Sequence, residues 1–180
     1  MSSSLGHVYW AVVPFAPSAP FRIYQEGAAP KDVRSAEPFT EAARKGMSEF
    51  ALLTPVKARP VLVISETSPE HDEVLTLRLR KLEKLSSESA RQQVRDGTDE
   101  ALFHLRPDRF PGLPVENAAI VTSLARVSTS ALDRRRSLGA LDEAGLRALH
   151  ERVVRAHGFK LDLLILERAR TLIERARDRE

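Results

Sequence analysis

Ala58-Arg59-Pro60-Val61-Leu62-Val63-Ile64-Ser65 decides how the rest of this chain is read. The apolar part is almost continuous and rich in β-branched side chains, which predicts a buried strand rather than a helix. Arg59-Pro60 opens this run. Arg59 therefore stands at the strand opening, outside the apolar run.

Working outward, Val8 to Phe15 is apolar, aromatic and β-branched, and Pro14 and Pro17 stop it, giving a first strand. From Val74 to Arg80 the pattern alternates, with Leu75, Leu77 and Leu79 facing one way and Thr76, Arg78 and Arg80 the other. Ala101 to Arg106 and Ala118 to Val127 supply two more strands, separated by a loop holding Pro107, Pro111, Gly112 and Pro114. Residues 81–98 read as polar helix or loop.

Two segments interrupt or follow these strands. Residues 16–38 are rich in Pro, Ala and Ser without a sustained period and read as an ordered excursion; Phe39, Ala42, Ala43, Met47, Phe50 and Leu53 then follow helical spacing, weakened by Gly46. Asp142 is placed to cap a helix whose stripe is Leu146, Leu149, Val153 and Val154, ending at Gly158, and a last helix is expected from about Lys160. Strands first and helices afterwards predict a mainly β fold with α, a small antiparallel barrel or sandwich under helical cover.

The chain of 180 residues suits one domain, and its 42% hydrophobic and 29% charged content suits a folded one. With no cysteine, a disulfide framework, a thiolate metal site and a Cys nucleophile are all excluded. The first residues lack the basic start of a signal peptide, and the apolar cluster Leu161 to Leu166 is broken by Asp162 and too short for a bilayer, so a soluble, cytoplasmic protein is expected.

A net charge of +3 is compatible with an anionic partner. Arg78, Arg80, Lys81 and Lys84 cluster on one strand end and the turn after it, as a phosphate-tracking surface requires, although Glu83 and Glu88 are interspersed as on a solvated face. Arg134-Arg135-Arg136 reads as a solvated loop. His7, His71, His104, His150 and His157 lack metal-ligand spacing and read as surface or packing residues; His104, alternating with Leu102 and Arg106, is the one that could approach a groove.

Taken in order, Gly6-His7-Val8-Tyr9-Trp10, the Arg59-Pro60 block, Ala118-Ala119-Ile120-Val121 with Arg126-Val127, and Leu138-Gly139-Ala140-Leu141-Asp142-Glu143 ahead of a helix resemble the PemK/MazF toxins. The resemblance spans most of residues 5–158 and implies an SH3-like, PemK-like barrel with C-terminal helices: a domain over 1–158 with a loop-helix insertion at about 16–53, and a helix over 159–180 packed on the same domain.

It further implies a homodimeric endoribonuclease that needs neither metal nor cofactor, cuts single-stranded RNA by attack of the ribose 2′-hydroxyl, and is held inactive by an antitoxin protein. Arg59 matches the family's catalytic arginine, Thr76 would supply a catalytic hydroxyl, and Arg78, Arg80, Lys81 and Lys84 would bind RNA.

Three places depart from the family pattern. Leu53 to Ala58 stand where an acidic residue and Gln are usual, Leu79-Arg80-Lys81 where a Ser or Thr is usual, and Thr122-Ser123 where an Asp-Gln pair is common. A PemK-like fold that binds protein or nucleic acid without catalysis is the alternative.

Overall fold

The computed structural model describes residues 4–14, 19–24, 29–35, 37–44, 51–67 and 72–158. The helix expected beyond Lys160 lies outside these residues. By contacts the chain divides into two compact units, one made of residues 1–11 and 59–180 and one of residues 12–58.

The larger unit is built on a six-stranded sheet of β1 (Val8–Pro14), β5 (Val56–Val63), β6 (Glu73–Lys81), β7 (Leu102–Leu105), β8 (Asn117–Ser128) and β9 (Leu132–Asp133). Their order across the sheet is β7-β8-β6-β5-β1-β9. β1 with β9, β5 with β6, β6 with β8 and β7 with β8 run antiparallel. The end strands β7 and β9 do not pair with each other among the described residues, so the expected small barrel is found here as a sheet that hydrogen bonds do not close.

One side of this sheet carries the main core. Val8, Leu62, Leu77, Leu105, Ala119 and Val121 meet Phe110, Leu138 and, from the helix α3 (Glu143–Ala156), Leu149 and Val153, with Leu75 and Leu79 packed alongside. Each fully buried Leu or Val contributes roughly 1.5–3 kcal/mol, so this face and the α3 stripe hold each other in place. α3 begins where the sequence predicts: the Asp142 side chain accepts a hydrogen bond from the Gly145 amide at 2.9 Å. His150 Nε2 donates to the Ile64 carbonyl at 2.8 Å, tying the helix to the end of the Val61–Ile64 run.

A second cluster, Leu82, Val94, Leu102 and Ala118, seats α2 (Glu88–Arg95) near β7 and β8. Gly139 lies where the chain passes Phe110. Its φ of +141° and the 2.5 Å that would separate a Cβ from Phe110 Cα leave room only for glycine.

The smaller unit differs from its expected form. β2 (Phe21–Tyr24), β3 (Lys31–Val33) and β4 (Ala51–Leu53) form a three-stranded antiparallel sheet in the order β3-β2-β4. The helix α1 runs over Glu37–Arg44, and Ala51 to Leu53, expected at the end of that helix, are strand. Strands of three or four residues are too short to print a period, and they exist because a partner strand pairs with them. Phe21 meets Phe39 edge-on at 5.9 Å.

Candidate functional site

The register of β5 on β6 determines which side chains share a surface. Leu62 pairs with Leu77, and both enter the core. Val61 pairs with Arg78 and Val63 with Thr76, so these four rise from the opposite face. Alternation then adds Arg59 from β5 and Arg80 from β6 to that face; β5 begins at Val56, so Arg59 and Pro60, expected at the strand opening, lie inside the strand, just ahead of its buried half. Three arginines are thereby gathered on two adjacent strands.

Along this face the surroundings change from dry to wet. Val61, Val63 and Thr76 are wholly buried, whereas Arg59 is half-buried and Arg78 and Arg80 are exposed. Arg59 is engaged by a partner. Thr76 donates its hydroxyl to the Ala125 carbonyl at 3.2 Å, so at this position the side chain is part of the sheet interior. Sequence alternation put Thr76 on the same side as Arg78; the depth at which each sits is a property of the assembled sheet.

Arg78 is held at an irregularity. The β6–β8 register runs Leu77↔Leu124 and then Leu79↔Ala119, which leaves Ile120 to Ser123 opposite Arg78 alone. A bulge of this kind re-aims side chains locally. Ser123, nearly buried, accepts a hydrogen bond from Arg78 Nε and so orients the guanidinium while leaving its terminal nitrogens outward. In the sequence Thr122-Ser123 stands out only as a departure from the family pattern, and no local pattern announces a bulge of this length.

The other basic residues are arranged differently. Arg80 reaches the Lys84 carbonyl at 3.3 Å. Lys81 alternates away from Arg80 and pairs with Glu83 at 3.4 Å, and Lys84 is exposed on the single 3-10 turn Leu82–Lys84. Among the described residues, neither Arg78 nor Arg80 has a carboxylate partner, which keeps their charge available to an anion.

His7 and His104 already have partners, and His71 lies outside the described residues. His7 Nδ1 meets Ser137 Oγ at 3.0 Å, and His104 Nε2 meets Glu116 Oε1 at 2.7 Å. Arg95 also donates to Glu116 from Nε at 3.0 Å and from Nη2 at 2.8 Å, and its Nη1 donates to Glu88 at 2.8 Å. The Arg95 hydrogen bond, followed by that of His104, holds the Glu116 carboxyl below the usual carboxylate range. His104 thus ties α2 to β7, and because His104 and Arg80 both pair with Ala118 of β8 it stands on the same sheet face as the arginines, two strands from Arg80. No group of three His, Asp or Glu side chains suited to a metal ion occurs among the described residues.

Fold and face together define a mainly antiparallel β protein with helical cover that presents an arginine-lined surface. No protein-family model matches the chain. No curated protein matches it either. Among solved structures it is similar to one described as an endoribonuclease in complex with its cognate antitoxin from a mycobacterial species, at 11% identity over 81% of this chain and 98% of the other, with a TM-score of 0.41. That overlap is a partial one of backbone course, and neither activity nor partner is carried across from it. No helix among the described residues is long and apolar enough to cross a membrane.

Proposed function

We propose that this chain is a PemK/MazF-like toxin that cleaves single-stranded RNA without a metal and is kept inactive by an antitoxin protein. The observation that carries this reading is the gathering of Arg59, Arg78 and Arg80 on one face of β5 and β6, two of them without a carboxylate partner among the described residues. A rigid pair of strands is a suitable frame for charges that must meet a phosphate in one geometry.

In the proposed reaction the ribose 2′-oxygen bonds to the neighbouring phosphorus and the 5′-oxygen leaves, giving a cyclic phosphate. One proton departs from the attacking hydroxyl and one arrives on the leaving oxygen. A guanidinium stays protonated throughout, so the arginines supply charge and hydrogen bonds to the phosphoryl oxygens and do not move protons. Arg59 takes the transition-state role, and Arg78, Arg80, Lys81 and Lys84 hold the backbone of the RNA.

A second reading, a PemK-like binding module without catalysis, draws on one observation. The Thr76 hydroxyl is buried and already donated to Ala125, so it serves the reaction only if it lets go of that carbonyl. Single-turnover cleavage, RNA binding and thermal melting of wild type and Arg59→Ala separate the two. The toxin reading expects Arg59→Ala to slow cleavage roughly a hundredfold or more while affinity and melting change much less. Equal rates would remove Arg59 from the chemistry, and a wild type that binds RNA but cuts none would select the binding module.

A further inference from the structure

Trp10 is the only tryptophan in the chain, and it sits in the middle of β1 with 43% of its surface exposed, between buried Tyr9 and Ala11. β9 places Asp133 directly across from it. Partners in that position share a face with their Cβ atoms about 4.5–5.5 Å apart. Asp133 accepts from Arg135 Nε at 3.0 Å, and the Arg135 side chain is 91% exposed, so its terminal nitrogens have no partner among the described residues. Arg134 and Arg136 flank it, exposed and without a carboxylate partner among the described residues. On its β9 side Trp10 therefore has Asp133, already paired, with the exposed Arg134–Arg136 next along the chain, and along β1 the same face carries exposed Val12.

We propose that Trp10 and Arg134–Arg136 form a stacking subsite for single-stranded nucleic acid, in which a base lies on the indole and the flanking phosphates meet the guanidinium groups. An exposed π-face accepts any base, and an adjacent cationic strip tracks the backbone. A protein partner would be met by an aromatic ring inside an apolar patch with charges at its rim, whereas β9 and the turn after it offer the ring charged neighbours. The subsite is separate from the arginine face: β1 lies between β5 and β9 in the sheet. It rests on the RNA reading above and extends it to a second contact on the same strand of RNA.

A single tryptophan makes the test direct. Full-length protein is titrated with a 2′-O-methyl oligouridylate, which binds but lacks the attacking hydroxyl, while Trp10 emission and the anisotropy of a dye on the oligonucleotide are read together. The subsite predicts that emission is quenched in step with binding. Trp10→Ala should weaken binding roughly tenfold, Trp10→Phe, which keeps a ring, should weaken it less, and Arg134→Ala with Arg136→Ala should lower the salt slope. Melting of each variant shows that it is folded, as expected for exposed positions. Binding with unchanged emission and an unaffected Trp10→Ala would overturn the subsite and leave the RNA reading standing. So would equal losses in the Ala and Phe variants. No binding at all would overturn both.

Discussion

Thr76 and Arg78 stand two residues apart on one strand face and have opposite fates. Thr76 pairs with Val63 and is wholly buried, with its hydroxyl donated to Ala125. Arg78 lies against the β8 bulge, where Ser123 takes its Nε and solvent takes the rest. Replacing Thr76 by Val keeps the shape and removes one neutral hydrogen bond, a loss of about 0.5–1.5 kcal/mol in stability. If the hydroxyl has a part in RNA cleavage, Thr76→Val slows turnover far beyond what that loss of stability produces. If its part is in the sheet, melting falls and turnover per folded molecule is unchanged, so paired melting and single-turnover assays check it.

At the scale of elements, α2 is held to its surroundings by an ionic network. Ser87 caps the helix by accepting from the Ala90 amide at 3.1 Å, and Arg95 at the other end grips Glu88 and Glu116 while His104 reaches Glu116. Arg95, the first cause in each case, lowers the pKa values of Glu88 and Glu116. A depressed carboxylate contributes stability that is present above the unfolded value, about 4.3, and is lost as the pH falls through the lower folded value. The melting gap between wild type and Glu116→Gln should accordingly be steady from pH 7 to about 5 and close as the pH approaches 3. Thermal melts across that range measure it, and a gap that persists in acid would assign the effect to packing.

For the whole molecule, the proposal includes association. Val12, Leu52, Leu53 and Val56 are large apolar side chains left in water, and surface of that kind is often covered by a second copy or a partner. Sedimentation of the chain alone at micromolar concentration should give twice its mass of 20.1 kDa. A clean monomer would remove the homodimer from the proposal without touching the arginine face.

Much of the fold was legible from residue order. The Val61–Ile64 run, the alternation from Val74 to Arg80 and the Asp142 cap predicted β5, β6 and α3 because the strand and helix periods and the cap chemistry are local properties. The same alternation placed Arg78 and Arg80 together on one face. Their alignment with Arg59 came from the β5–β6 register, which no single strand encodes. In the sequence the segments of the short strands β2, β3 and β4 read as excursion or helix end, since pairing across a sheet is a long-range event. The bulge that turns Arg78 toward Ser123, the burial of Thr76 and the placing of Trp10 beside Asp133 were likewise decided only in the tertiary structure. Sequence by itself determined which residues form strands and helices and where the charges lie along them; only the packed sheet decided which of those charges meet and which hydroxyl is withdrawn from water, because register and depth depend on partners far away in the chain.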